Sequence, residues 1–201
     1  LNQARCDLHG AGTQNSTLFV GGRNGPGLTC TECYDGTTFN VTNPITRATY
    51  GTSASGDSNA SVWYGGYDLG NATSYIRTNE WNGLTFIEGN AMVIKKYAPI
   101  GTGTQASGLA VGGYTPSAVA CTEEYTKNFI PPYTTNVWTS GATNILDKSG
   151  GKGAGDANAA LSFGGTVSPA RVTCTEEYDG SSWSAGGAMI IAVGNHGGTG
   201  T

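Results

Sequence analysis

Histidines, cysteines and paired carboxylates are the residue types in this chain that could do chemistry, and their spacing argues against it. His9 and His196 stand at opposite ends of the sequence beside glycine-rich stretches, neither at metal-ligand spacing from another ligand, so each reads as a turn residue. The adjacent carboxylates Glu123-Glu124 and Glu176-Glu177 fall on stretches that read as strands, where neighbours point to opposite faces and cannot share an acid–base task. Cys30 and Cys33 have CxxC spacing, again on a strand, with no second pair and no histidine partner to complete a zinc site. No Gly-x-Ser-x-Gly elbow occurs. The expectation is a protein that is not an enzyme and carries no metal and no cofactor.

The elements that would position any site are read from a repeat. Double glycines recur as Gly21-Gly22, Gly65-Gly66, Gly112-Gly113 and Gly164-Gly165, in steps of 44, 47 and 52 residues. Both longer steps have local causes: extra residues within 67–74 in the second repeat and within 126–136 in the third. A unit of 44 residues with two loop insertions therefore explains the spacing, and such periods signal propellers or arrays. Before each double glycine the first and third positions are bulky while the position between them varies through Phe19, Trp63, Ala110 and Ser162, as a period-2 strand requires. Then come Thr31-Glu32-Cys33-Tyr34, Thr78-Asn79-Glu80-Trp81, Thr122-Glu123-Glu124-Tyr125 and Thr175-Glu176-Glu177-Tyr178, read as third strands. Asp35-Gly36, Asn82-Gly83 and Asp179-Gly180 follow three of them and predict two-residue type I′ hairpins into a fourth strand. With a first strand before each second, the unit is a four-stranded antiparallel sheet.

Composition agrees. Only 12% of the 201 residues are charged, 33 are glycine, and no stretch reads as a helix. A net charge of -4 and the absence of basic runs give no footprint for nucleic acid, and no apolar stretch is long enough to insert into a membrane. Five cysteines, an odd number, exclude a fully paired disulfide framework. Cys30, Cys121 and Cys174 occupy one repeat-equivalent position and read as small buried hydrophobes. Arg5, Lys96 and Lys148 share another, with Arg47 close to register and Val193 in the last copy; each base could pair with a third-strand glutamate or lie solvated at the surface.

The order of basic residue, turn, apolar run, double glycine, Glu-Tyr-Asp-Gly and spaced tryptophan resembles the kelch repeat, with Tyr178-Asp179-Gly180, Trp183 and Met189 as its best copy. The resemblance covers nearly the whole of 1–201 as one segment. It implies an all-β fold, a β-propeller of four-stranded kelch-like blades, used as a binding platform or as a scaffold in copper oxidases. About four and a third repeats are present, so the expectation is part of a larger ring, with a closed four-bladed ring or an open array as alternatives. The wording around Leu161 to Trp183 also resembles repeat proteins of marine phages and bacterial exported proteins.

The two insertions are the candidate binding sites. Residues 126–136 supply Lys127, Phe129 and Tyr133, and residues 67–74 supply Tyr67 and Asp68. Strand parity puts the two insertions on opposite faces. The expected function is a non-catalytic structural and recognition propeller of an extracellular or virion assembly, contacting surface glycans or neighbouring subunits. The alternatives are part of a secreted oxidase or lyase and a kelch-type protein-binding adaptor.

Overall fold

A computed structural model describes the chain apart from residues 69–72, 131–132, 199 and 201, and gives the backbone alone for 73–74, 129–130 and 133–135. Among the described residues there is no helix. Four antiparallel sheets of four strands follow one another, each an up-and-down meander. The first holds His9–Thr13, Ser16–Val20, Thr31–Tyr34 and Phe39–Val41, and the second Ser53–Gly56, Ser61–Tyr64, Thr78–Trp81 and Phe86–Gly89. The third holds Ile100–Gly103, Ser107–Val111, Thr122–Ile130 and Tyr133–Ser140, and the fourth Lys152–Gly155, Ala160–Phe163, Thr175–Tyr178 and Trp183–Ala185. The first strands lie side by side around a common axis and are built of small residues because they crowd there. A Cβ on Gly101 would come within 2.6 Å of the Ala54 carbonyl in the sheet before it.

The double glycines sit at matching bends. In the second sheet, Gly65 (φ 67°) and Gly66 (φ 103°) turn the chain out of the second strand, and the Gly66 amide donates to the Lys96 carbonyl, 2.9 Å, on the connector into the third sheet. A Cβ on Gly65 would lie 2.7 Å from that carbonyl, so close approach and positive φ both demand glycine. Gly22, Gly113 and Gly165 bond in the same way to the carbonyls of Thr49, Lys148 and Val193. Two residues beyond these carbonyls, a second set of positions links the successive connectors in series. The amides of Gly51, Ala98, Gly150 and Asn195 donate in turn to the carbonyls of Asp7, Gly51, Ala98 and Gly150, all five residues having φ between 49° and 65°.

Three apolar clusters fill the spaces between successive sheets. Leu18 and Val20 of the first sheet meet Trp63 and Trp81 of the second. Val62 and Tyr64 of the second meet Ala110, Tyr125 and Trp138 of the third, and Leu109 and Val111 of the third meet Ala160 and Tyr178 of the fourth. In the first three sheets the bulky pair before the double glycine thus faces the next sheet, and the variable residues Trp63 and Ala110 face the previous one. Each fully buried side chain of this size contributes about 1.5–3 kcal/mol. Polar bonds add register: the Tyr125 hydroxyl donates to Glu80, 2.8 Å, and the Tyr178 hydroxyl to Glu124, 2.6 Å, while the indoles of Trp138 and Trp183 donate to Thr78 and Thr122. Where the tyrosine is replaced by Trp81, the facing acid is replaced by Cys33, which packs in the same apolar cluster.

The basic positions before each turn are buried, not solvated. Arg5 pairs with Glu32, Lys96 with Glu123 at 3.0 Å and Lys148 with Glu176 at 3.1 Å, with side chains 0–2% exposed. The same carboxylates accept the connector amides of Asn2, Val93 and Ile145, tying each connector to the sheet it enters. In the second sheet the equivalent position is Thr49, not the nearby Arg47, and Asn79 stands at the repeat position of the glutamate, so both charges are absent together. The cysteines of the equivalent column are only half-buried and all five are free. Arg5 donates to the Cys30 sulfur and Lys148 approaches that of Cys174, so this column accompanies the buried cations instead of filling an apolar core.

Two further expectations change. The Asp-Gly and Asn-Gly turns are four-residue loops, not two-residue hairpins, because the side chain at the first position satisfies the loop's amides. Asp35 Oδ1 accepts from Thr37 and Thr38, Asn82 Oδ1 from Leu84 and Thr85, and Asp179 Oδ1 from Ser181 and Ser182. The insertion at 126–136 is not a loop either. Thr122–Ile130 and Tyr133–Ser140 stay paired from Glu123↔Ser140 to Ile130↔Tyr133, extending the outer strands into a ribbon, as the Thr, Phe, Ile and Tyr content favours.

Candidate functional site

At the end of the sheets that carries the double-glycine bends, repeat-equivalent positions bring tyrosines together. The residue after each double glycine pairs with a connector residue: Cys6 with Arg23, Tyr50 with Tyr67, Tyr97 with Tyr114 and Ser149 with Thr166. In the second and third sheets both partners are tyrosine, and each pair exchanges two backbone hydrogen bonds of 2.8–3.3 Å. The rings of Tyr50, Tyr67 and Tyr97 then meet edge to face, with centroids 5.7, 5.7 and 6.0 Å apart. The Arg23 guanidinium lies 4.9 Å over the Tyr50 ring and is held by Asp7 at 2.5 Å. These residues, with Tyr114 and Ser149, line a cleft of about 370 Å³. Tyr50 is buried as the floor, whereas Tyr114 is 41% exposed at the rim. Burial raises the Tyr50 and Tyr97 phenols above their ordinary value, so both hydroxyls keep their protons at neutral pH.

Tyr97 also belongs to a cavity of about 170 Å³ on the axis, walled by Asp7, His9, Thr52, Pro99, Lys152 and His196 among others. His9 and Lys152 open the first strands of the first and fourth sheets, and Lys152 Nζ lies 3.4 Å from His9 Nδ1. The His9 ring packs its edge against Trp63, with centroids 6.1 Å apart, and His196 packs on Phe163. The two histidines read as turn residues therefore converge on one cavity, His9 from the start of the first strand of the first sheet and His196 from the segment after the fourth sheet. Burial, and after it the Lys152 ammonium, lower His9 to about 3 and lower His196 as well; burial also lowers Lys152.

This convergence gives stability a sign with pH. Folded His9 titrates near 3 and an unfolded histidine near 6.5, so the unfolded state binds the extra proton between these values and stability falls as pH drops from 6.5 toward 3. His9→Gln should flatten that decline by up to about 1.4 kcal/mol per pH unit. Urea unfolding at intervals between pH 7 and pH 4 measures it, and equal slopes for both proteins would contradict the assignment.

Of the expected site residues, Tyr67 lies in the tyrosine cleft, and Asp68, beside it, accepts from the Tyr75 hydroxyl at 2.5 Å. Lys127 lies at the opposite end of the sheets in an ion pair with Glu80, 2.5 Å, which also accepts from Tyr125 and Asn136. Lys127 thereby holds the ribbon against the second sheet. Phe129 and Tyr133 contribute backbone pairs to the ribbon, Phe129↔Thr134 and Ile130↔Tyr133, and their side chains lie outside the described residues. Arg23, Tyr50, Tyr97 and Tyr114 were missed. Their signal was the residue following each double glycine and its partner on the connector, two columns of the repeat that carried no turn or insertion. Among the described residues no three of His, Cys, Asp and Glu come together as a metal site.

No family model matches the chain, and no curated protein matches it. Among solved structures it is similar to the structure of YjhT, with a TM-score of 0.76 and 9% sequence identity over 97% of this chain and 73% of that one. At that identity the likeness is one of fold: an all-β chain of successive four-stranded antiparallel sheets.

Proposed function

We propose that the four sheets are blades of a kelch-like β-propeller and that the protein is a non-catalytic recognition module, binding surface glycans at the tyrosine cleft. The observation that carries this reading is the set of four tyrosines and Arg23 around one 370 Å³ cleft on the double-glycine face. A tyrosine ring offers an apolar plane for a sugar face and a hydroxyl for its polar edge, at little cost in side-chain entropy. The setting suggested by the sequence resemblance is an extracellular or virion assembly. Contact with neighbouring subunits is supported by Ile190 and Ile191, which follow the fourth sheet and are 100% and 69% exposed.

A glycan array probed with the wild type, Tyr67→Ala, Tyr114→Ala and a variant with the 126–136 ribbon trimmed tests the cleft. Each tyrosine variant should weaken binding by about tenfold, the effect of losing roughly 1.4 kcal/mol of ring contact. The trimmed variant should bind like the wild type. An empty array, or binding unchanged in both tyrosine variants, would reject the cleft as the recognition site.

A further inference from the structure

We propose that the axial cavity binds a small oxyanion, such as a carboxylate group, with Lys152 as its counter-charge. The first argument is a missing partner. The three cations whose side chains are fully buried each have a carboxylate, Arg5 with Glu32, Lys96 with Glu123 and Lys148 with Glu176, and the partly exposed Arg23, Arg77 and Lys127 have Asp7, Glu88 and Glu80. Among the described residues Lys152 has none. Its ammonium meets the neutral ring of His9, leaving at least two of its three N–H donors to point elsewhere. A desolvated ammonium without a counter-ion is costly, and an anion entering from solvent removes that cost.

The second argument is the room and the remaining donors. A cavity of about 170 Å³ has space for several waters or one compact anion, a water's share of liquid volume being about 30 Å³. Both His196 ring nitrogens are buried there without a hydrogen-bond partner. The charged and titratable groups lining the space are Asp7, His9, Tyr97, Lys152 and His196. Asp7, the one acid among them, is engaged by Arg23, leaving the cavity's field to the base. An anion beside Lys152 favours the charged form of each histidine, opposing the burial that lowers both, so binding should take up protons and strengthen as pH falls. Once charged, His196 has two N–H donors to offer the ligand.

The test uses the whole chain and simple probes: acetate, sulfate and phosphate against chloride at constant ionic strength. Acetate or sulfate should shift the imidazole proton resonances of His9 and His196, saturate in about the millimolar range, and release or absorb buffer-dependent heat that reports proton uptake. Lys152→Met should weaken binding at least tenfold, and Lys127→Met, at the far end of the sheets, should leave it unchanged. Lys152→Gln, one bond shorter and neutral but still an N–H donor, covers the case in which methionine prevents folding. No response to any of the three anions at pH 6, or equal binding by the wild type and both Lys152 variants, overturns the proposal. Tyr67→Ala should retain anion binding, so failure at the tyrosine cleft and failure at the axis give different results.

Discussion

Glu123→Ala should lower stability by about 3–5 kcal/mol, or melting by roughly 10 °C, although Glu124→Ala, one residue on, should cost only about 1–2 kcal/mol. The two carboxylates point to opposite faces of one strand. Glu123 is buried against Lys96 at 3.0 Å and accepts the amides of Val93 and Ile94, so its removal strands a buried ammonium and frees the connector entering the third sheet. Glu124 loses one hydroxyl bond, from Tyr178. The double replacement Lys96→Met with Glu123→Leu should recover most of the loss, since a buried ion pair replaced whole by apolar side chains is often neutral or better. The second sheet already dispenses with the charges, having Thr49 and Asn79 where the others have a base and an acid. Urea and thermal unfolding of the four proteins decide the matter; a Glu123→Ala protein melting within two or three degrees of wild type would show that the pair does not hold the connector.

Trp63→Ala should cost about as much, roughly 3–5 kcal/mol, and should also disturb the axis. Trp63 is 0% exposed between the first and second sheets, its indole donating to Ser61 Oγ at 2.9 Å and its ring supporting the edge of His9. Truncation leaves a space that the two sheets cannot close, because both are fixed at the axis by the linked amides of Gly51 and Ala98. Phe19, at the same repeat position in the first sheet, is only half-buried on the face away from the second sheet, so Phe19→Ala should cost roughly 1–2 kcal/mol. Equal losses at the two sites would mean that the space between sheets is not what Trp63 stabilises. A His9 resonance that moves in Trp63→Ala but not in Phe19→Ala would tie this packing to the cavity.

What could be read from the amino acids alone was whatever a few neighbouring residues decide. The four bends, the second and third strands and the division of bulky and variable positions were legible because positive φ, period-2 burial and backbone pairing are local demands, repeated four times. The turns after Tyr34, Trp81 and Tyr178 were located correctly but not their form, since Asp35, Asn82 and Asp179 use a side chain where a backbone turn was expected. The spacing of 13 residues from Tyr125 to Trp138, against 5 in the other repeats, reads as a loop insertion, since extra length alone does not say whether the added residues pair.

Only the packed chain decided which columns of the repeat meet. Lys152 reaches His9 across 143 residues because first strands converge on one axis, and Lys127 reaches Glu80 across 47 because a ribbon from one sheet lies against the next. Periodicity makes positions equivalent without saying whether they face the axis, the next sheet or the solvent. The tyrosine cleft is therefore visible in the sequence only as two columns in which aromatic residues recur. Placing those columns on one face at one end, with Arg23 above them and the cavity beside them, required the sheets to stack, because stacking alone turns equivalence along the chain into proximity in space.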